Sequence, residues 1–357
     1  MLVDILDVIT DLSHEFGTAE YVRAGGGNTS AKTQTTLWVK PSGTTLAHLK
    51  PSDFVALDRR KLGALYTANP PSDVAAREAM VKELMAQAVL PSSHGRPSVE
   101  APLHDSLGAR YVVHTHPALV NGMTCGKEGK AACRQYFPQA LWVDYVDPGY
   151  TLCMEVRKAV ADYQAANGRE PAVIFLKNHG VFAAGEQADD IRALYIMVMR
   201  TLQRHYADRS ISCKLPVGPE PDPAEVAAAR EMIRQAFADP TLCVAASGAF
   251  ALPDGPISPD HIVYAKSYYL TEKPTPQAVA AFRQKHGYLP QVIAFRAMVL
   301  GVGQTAKKAA LALELAMDGA LVKQLAEAFG GIDYMTDAAR TFIENWEVES
   351  YRSRQVQ

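Results

Sequence analysis

Apolar residues of the first sixteen positions, MLVDILDVITDLSHEF, recur at three- and four-residue spacing, which predicts an amphipathic helix ending near Gly17. The same spacing predicts helices over 71–89, with Asp73 at the N-cap, over 154–166 and over 188–206. Short apolar runs predict strands at 36–40, 111–116, 141–145 and 172–176, and VFAAG after Gly180 predicts a hairpin return. Residues 118–133 are expected to form a helix and a loop. KLPVGPEPDPAE, residues 214–225, holds four prolines and predicts a linker. Beyond it the pattern predicts a helix at 224–238, strands around 261–266 and 291–300, and helices to the end. The expected organisation is a catalytic unit over 1–213, a linker over 214–225 and a smaller α/β unit over 226–357.

Chemistry concentrates in EAPLHDSLGARYVVHTHP, residues 100–117. Side chains alternate along a strand, so His114 and His116 are expected on one face, just before the chain-breaking Pro117. Such a pair suits one metal ion, and Glu100 lies a short helix upstream. AVIFLKNHG repeats the design downstream, with His179 at a strand end before a glycine that lets the chain turn. Three imidazoles with an adjacent acid suit Zn²⁺ or another divalent ion. A His-X-His pair on a strand is equally a surface pair, and an acid at a helix start is equally there for the helix dipole.

Two loops offer anion contacts. Gly25-Gly26-Gly27 allows close backbone approach, and Asn28 and Ser30 add small donors. Pro41-Ser42-Gly43-Thr44 offers a hydroxyl and a backbone amide, with Lys40 beside it. Further on, Gly301-Val302-Gly303-Gln304-Thr305-Ala306 follows a strand and opens a helix, as a dinucleotide fingerprint would. Only about 50 residues follow it, too few for the repeated strand–helix units of that fold, so a structural turn is expected.

Composition narrows the classes. The 357 residues are 48% hydrophobic and 21% charged, as in ordinary globular proteins. A net charge of −2 gives no electrostatic reason to expect nucleic acid. No apolar run reaches the roughly 18 residues of a membrane span. Five cysteines form no CxxC pair, and the N-terminal acids do not suit a signal peptide, so a reduced, cytoplasmic setting is expected.

The segments GGGNTSAK, VKPSGTTLAHL, RPSVEAPLH, YVVHTHP and FLKNHGVFAAG resemble, in order, the signature segments of the class II (metal-dependent) aldolases of the aldolase/adducin family. The nearest likeness is to the aldolase portion of bifunctional rhamnulose-1-phosphate aldolase/alcohol dehydrogenases. The resemblance implies an α/β fold of three layers, α/β/α, with a mostly antiparallel sheet, commonly assembled as a homo-tetramer with sites at subunit contacts. It implies reversible aldol cleavage of a ketose phosphate or related compound through a metal-stabilised enediolate. His114, His116 and His179 match the metal ligands, Glu100 the catalytic acid/base, and Asn28, Ser42, Gly43 and Ser98 the phosphate contacts. Val99 departs from the second serine that many relatives carry before the acid, which puts part of the phosphate pocket in question. Relatives also use a tyrosine to protonate the aldehyde-side oxygen. Tyr136, Tyr145 and Tyr150 are the candidates, with Tyr145 taken as the choice. Within the superfamily, a 4-epimerase, a sugar-acid decarboxylase and a dehydratase stay open as alternatives. A non-enzymatic adducin-like interaction protein is the alternative from another class.

Overall fold

The protein, here in a computed structural model, is described over residues 2–346, so the expected helix beyond 346 lies outside the described residues. It divides into two compact units, 1–120 with 129–202, and 121–128 with 203–357.

Seven strands form the sheet of the first unit: β1 Asn28–Lys32, β2 Thr36–Val39, β3 Val55–Asp58, β4 Tyr111–Thr115, β5 Leu141–Val143, β6 Val173–Leu176 and β7 Gly180–Gly185. Their order is β3-β2-β1-β4-β7-β6-β5, antiparallel throughout except for the β5–β6 pair. The expected α/β architecture with a mostly antiparallel central sheet is therefore present.

Strand alternation assigns two jobs to its two faces. On β1, Asn28, Ser30 and Lys32 turn toward the short helix Ala101–Ser106 and its ends, where they meet Glu100, His104 and the carbonyls of His104 and Leu107. Thr29 turns the other way, its hydroxyl 2.7 Å from that of Ser13 on the helix Leu2–Phe16. On β4, Val112 joins a buried cluster with Leu103, Val156, Ile174 and Phe182, while Thr115 reaches Tyr195 of the helix Ala188–Asp208 at 2.7 Å. Helices thus cover both faces, giving three layers.

Asn28 and Ser30, expected in a loop, stand instead in the fully buried strand Asn28–Lys32. Its polar side chains survive burial because each of the three inner ones has a partner across the sheet face. Lys40 is likewise buried, at 2% exposure.

In the second unit a three-stranded antiparallel sheet, β8 Cys243–Gly248, β10 Met298–Gly303 and β9 Val292–Phe295, runs in the order β8-β10-β9. The single strand expected over 291–300 is this β9–β10 hairpin. Residues 261–266 form no strand: Pro259–Tyr264 is a helix that opens with Pro at its first turn after Ser258. All six of its residues are buried, so no apolar stripe marked it in sequence.

The long helix Ala306–Ala326 packs on this sheet through Gly301. A Cβ there would meet the carbonyl of Ala309 and lie 2.8 Å from the Leu313 backbone nitrogen. Gly301→Ala should therefore destabilise the C-terminal unit by about 1–3 kcal/mol. Urea unfolding would read this as a lower midpoint, and an unchanged midpoint would contradict the close packing.

Candidate metal centre

Register brings the site together. Asn28 on β1 pairs with His114 on β4, and His114 pairs in turn with Phe182 on β7. The Phe182 ring stacks on His114 at 3.9 Å between centroids. His114 and His116 project from one face as expected, and their Nε2 atoms are 2.9 Å apart. His179 arrives from the turn between β6 and β7, which Asn178 makes in the left-handed conformation (φ 54°). Gly180 follows because no side chain fits. A Cβ there would strike the Thr115 carbonyl and lie 2.7 Å from Cδ2 of His116.

The ligating nitrogens of His114, His116 and His179 all lie within 4.8 Å of one another. His114 donates its Nδ1–H to the carbonyl of Val181 at 3.0 Å, so in the neutral ring Nε2 carries the lone pair that faces the other imidazoles. Glu100 Oε1 is 3.5 Å from His114 Nε2 and 3.4 Å from His179 Nε2. Burial pushes Glu100 up, but the positive charge of His114 when protonated, a hydrogen bond from it, and the charges of His179 and His116 outweigh this and hold the carboxyl well below the usual carboxylate range. Three imidazoles converging beside a buried carboxylate, one of them with its tautomer fixed by a backbone carbonyl, fit a divalent ion.

Asn28 Nδ2 donates to Glu100 Oε2, while Asn28 Oδ1 is buried with no hydrogen-bond partner. The other expected contact residues are joined by backbone. Ser42 N donates to the carbonyl of Arg96 at 2.8 Å, and Ser98 N to that of Lys40 at 3.1 Å. Lys40 Nζ reaches the carbonyl of Gly25 at 3.2 Å. The glycine run, the Ser42-Gly43 turn (Gly43 φ 84°) and the segment leading to Glu100 are thus cross-linked. Ser98 Oγ accepts from the Glu100 N–H at 3.2 Å.

Tyr145 stands apart from this network. Its hydroxyl donates to Asp147 at 3.1 Å, and burial with the nearby Asp147 raises its pKa. His104 was not singled out from sequence, yet it lies one helical turn after Glu100. Its Nδ1 is 2.8 Å from Ser30 Oγ. Burial is the main cause of its pKa being pushed down to about 3; Glu100 opposes this, and His114, Lys32 and Lys40 add to it. Its spacing from Glu100 was the available signal.

The chain belongs to the Class II Aldolase and Adducin N-terminal domain family, whose match covers residues 7–206. Over 195 residues it is 30% identical to the uncharacterized oxidoreductase YuxG of Bacillus subtilis (strain 168), a match covering 52% of this chain and 27% of that protein. The chain thus spans about a quarter of the length of that curated relative. Among solved structures it is similar to the N-terminal class II aldolase domain of a conserved protein from Thermoplasma acidophilum. That likeness has 22% identity and a TM-score of 0.49, covering 56% of this chain and 92% of the other. It is also similar to the L-fuculose-1-phosphate aldolase from Thermus thermophilus, with 19% identity and a TM-score of 0.39, covering 58% and 96%. Among the described residues no helix is long and apolar enough to cross a membrane.

Two outcomes follow from the site. His116→Ala should leave the purified protein without its equivalent of divalent metal, measured by elemental analysis; full occupancy would remove His116 from the ligand set. His104 should make the protein acid-sensitive. Its folded pKa lies below its unfolded one, so the unfolded chain binds the extra proton. Stability present above about pH 6.5 is then lost as pH falls toward the folded value. In chelator, lowering pH from about 6.5 to about 4.5 should cost the parent about 2–3 kcal/mol more than it costs His104→Asn, by urea titration. Equal losses would show that His104 is not the group.

Proposed function

We propose that the protein is a metal-dependent aldolase that reversibly cleaves a ketose phosphate, with Zn²⁺ or a similar divalent ion held by His114, His116 and His179. The observation that carries this reading is the buried Glu100 carboxyl group with one oxygen within 3.5 Å of two of those imidazoles. A divalent ion bound there supplies Lewis-acid polarisation of a substrate carbonyl and its neighbouring hydroxyl.

Glu100 is the base in this reading. In the synthetic direction its carboxylate takes the proton from the carbon next to the carbonyl, and in the cleavage direction it returns that proton to the same carbon. Asn28 holds the carboxylate from the side away from His114 and His179, through Oε2, leaving Oε1 toward the imidazoles. The unpartnered Asn28 Oδ1 is an acceptor suited to a substrate hydroxyl. Ser42, Gly43 and Ser98, on segments whose backbones are already bonded together, take the phosphate with the second N–H of the Asn28 amide, which stands in β1. A tyrosine is the proton donor to the aldehyde-side oxygen, and Tyr145 is the residue assigned. Its bond to Asp147 would have to open for that step.

The assembly expected with this chemistry is a homo-oligomer, a tetramer by likeness to the family, and its substrate a small sugar phosphate.

Glu100→Gln keeps the side-chain size and removes the base. A positioned base contributes about 10² to 10⁴ in rate, so the variant should lose on the order of 3–5 kcal/mol of transition-state stabilisation. The three imidazoles remain, so metal content should stay at the parent level. Exchange of the donor's α-proton with deuterated solvent, followed by NMR beside metal analysis, makes the comparison. A variant that keeps its metal and exchanges at the parent rate would sink the assignment.

A further inference from the structure

The sheet of the second unit reproduces part of the first, position by position. β8-β10-β9 has the strand order and antiparallel sense of β4-β7-β6. Aligning Gly185 with Gly303 puts Tyr111 on Cys243 and His114 on Ala246, and every β4–β7 pair then has its β8–β10 counterpart. The hairpins agree as well: Val173↔Ala183 and Ile174↔Phe182 match Val292↔Gly301 and Ile293↔Leu300.

The flanking chain follows the same plan. Each hairpin is preceded by a helix capped by a left-handed glycine, Gly168 (φ 70°) and Gly287 (φ 84°). From each glycine the sequence runs Gly-x-x-Pro-x-Val-Ile, as GREPAVI and GYLPQVI. Each turn carries one left-handed residue that is not glycine, Asn178 (φ 54°) and Arg296 (φ 56°). Each second hairpin strand ends in a glycine, and after two intervening residues a helix of 21 residues begins. A Cβ on those glycines would crowd the third residue of the helix, Asp190 Cβ at 2.6 Å in one unit and Lys308 Cβ at 2.7 Å in the other. Unrelated α/β packing does not reproduce register, caps and close contacts together.

At the three metal positions the second unit has Ala246, Gly248 and, after its left-handed turn residue, Ala297. Gly248 has no room for a side chain, because a Cβ would strike the carbonyl of Gly218 and lie 2.5 Å from that of Pro219. Its usable space is at the other end of the sheet, a cavity of about 490 Å³ reached by the start of β9 and the end of β10. Arg283, Lys308 and Gln304 line it together with Leu242, Val263 and Leu311. Asp239, its one acidic lining residue, is engaged by the backbone N–H and hydroxyl of Thr241 and by Gln304. Among the described residues no carboxylate pairs with Arg283 or Lys308. Exposed Arg283 and half-buried Lys308 offer a guanidinium and an ammonium beside Leu242, Val263 and Leu311, in a volume of ligand size, which suits an organic phosphate.

We propose that the C-terminal unit is a metal-free second copy of the catalytic framework, and that it binds a small phosphomonoester in the cavity between Arg283 and Lys308. The test labels Arg283 with phenylglyoxal and Lys308 with acetic anhydride in the full-length protein, read peptide by peptide by mass spectrometry. Glycerol phosphate is titrated against sodium chloride at matched ionic strength. Labelling of both residues should fall about fivefold at four times the dissociation constant, as simple occupancy requires. Sodium chloride should have little effect. Arg283→Glu should abolish the protection of Lys308 while leaving α-proton exchange at the first unit unchanged. Absent protection, or equal protection by sodium chloride, would overturn the binding site. A second equivalent of tightly bound divalent metal that persists in His116→Ala would overturn the metal-free copy.

Discussion

The bond from His114 Nδ1 to the carbonyl of Val181 is the interaction on which the site depends. In the neutral ring this bond places the proton on the side of the neighbouring strand, so the opposite nitrogen presents a lone pair toward His116, His179 and Glu100. The bond exists because β4 and β7 pair in one register, and a slip of one residue would turn His114 to the opposite face of the sheet. Phe182, the direct cross-strand partner, then covers the ring from the apolar side. Sheet pairing, proton placement and ligand direction are in this sense a single constraint.

That constraint explains which parts of the site were legible in sequence. His114 and His116 could be placed together because alternation along a strand is a local rule; His179 showed only the same strand-end setting before a glycine, and its join to the pair rested on family resemblance. Asn28 and Ser30 were found as polar residues after glycines, but their placement in a buried strand was not. NTSAK has little strand propensity and is held there by partners from distant segments, Glu100, His104 and Ser13. His104 escaped notice for the same reason, since its importance comes from what buries it.

The fold was legible to a similar degree. The first unit's long helices and its hairpin followed from periodicity, and the Asp73 cap, whose side chain accepts from Ala76 N, was also expected. The helix Pro259–Tyr264 did not, because a short helix buried on every side offers no amphipathic stripe, and its β-branched residues suggest a strand. The likeness between the two hairpins was also hidden. Only a few identities survive, and the positions that matter most chemically are those that differ.

Gly248 carries a consequence for how such a chain can change. The carbonyls of Gly218 and Pro219 lie where a side chain at 248 would begin, and Gly218 N is bonded to the carbonyl of Ala249. Any residue larger than glycine at 248 must displace a segment anchored by its own hydrogen bond. Substitution there alone produces a clash before it can produce a ligand, so a second metal centre lies beyond the reach of changes made one at a time. A backbone crossing thus holds position 248 to glycine, and a side chain can enter there only if the segment that crosses it moves first.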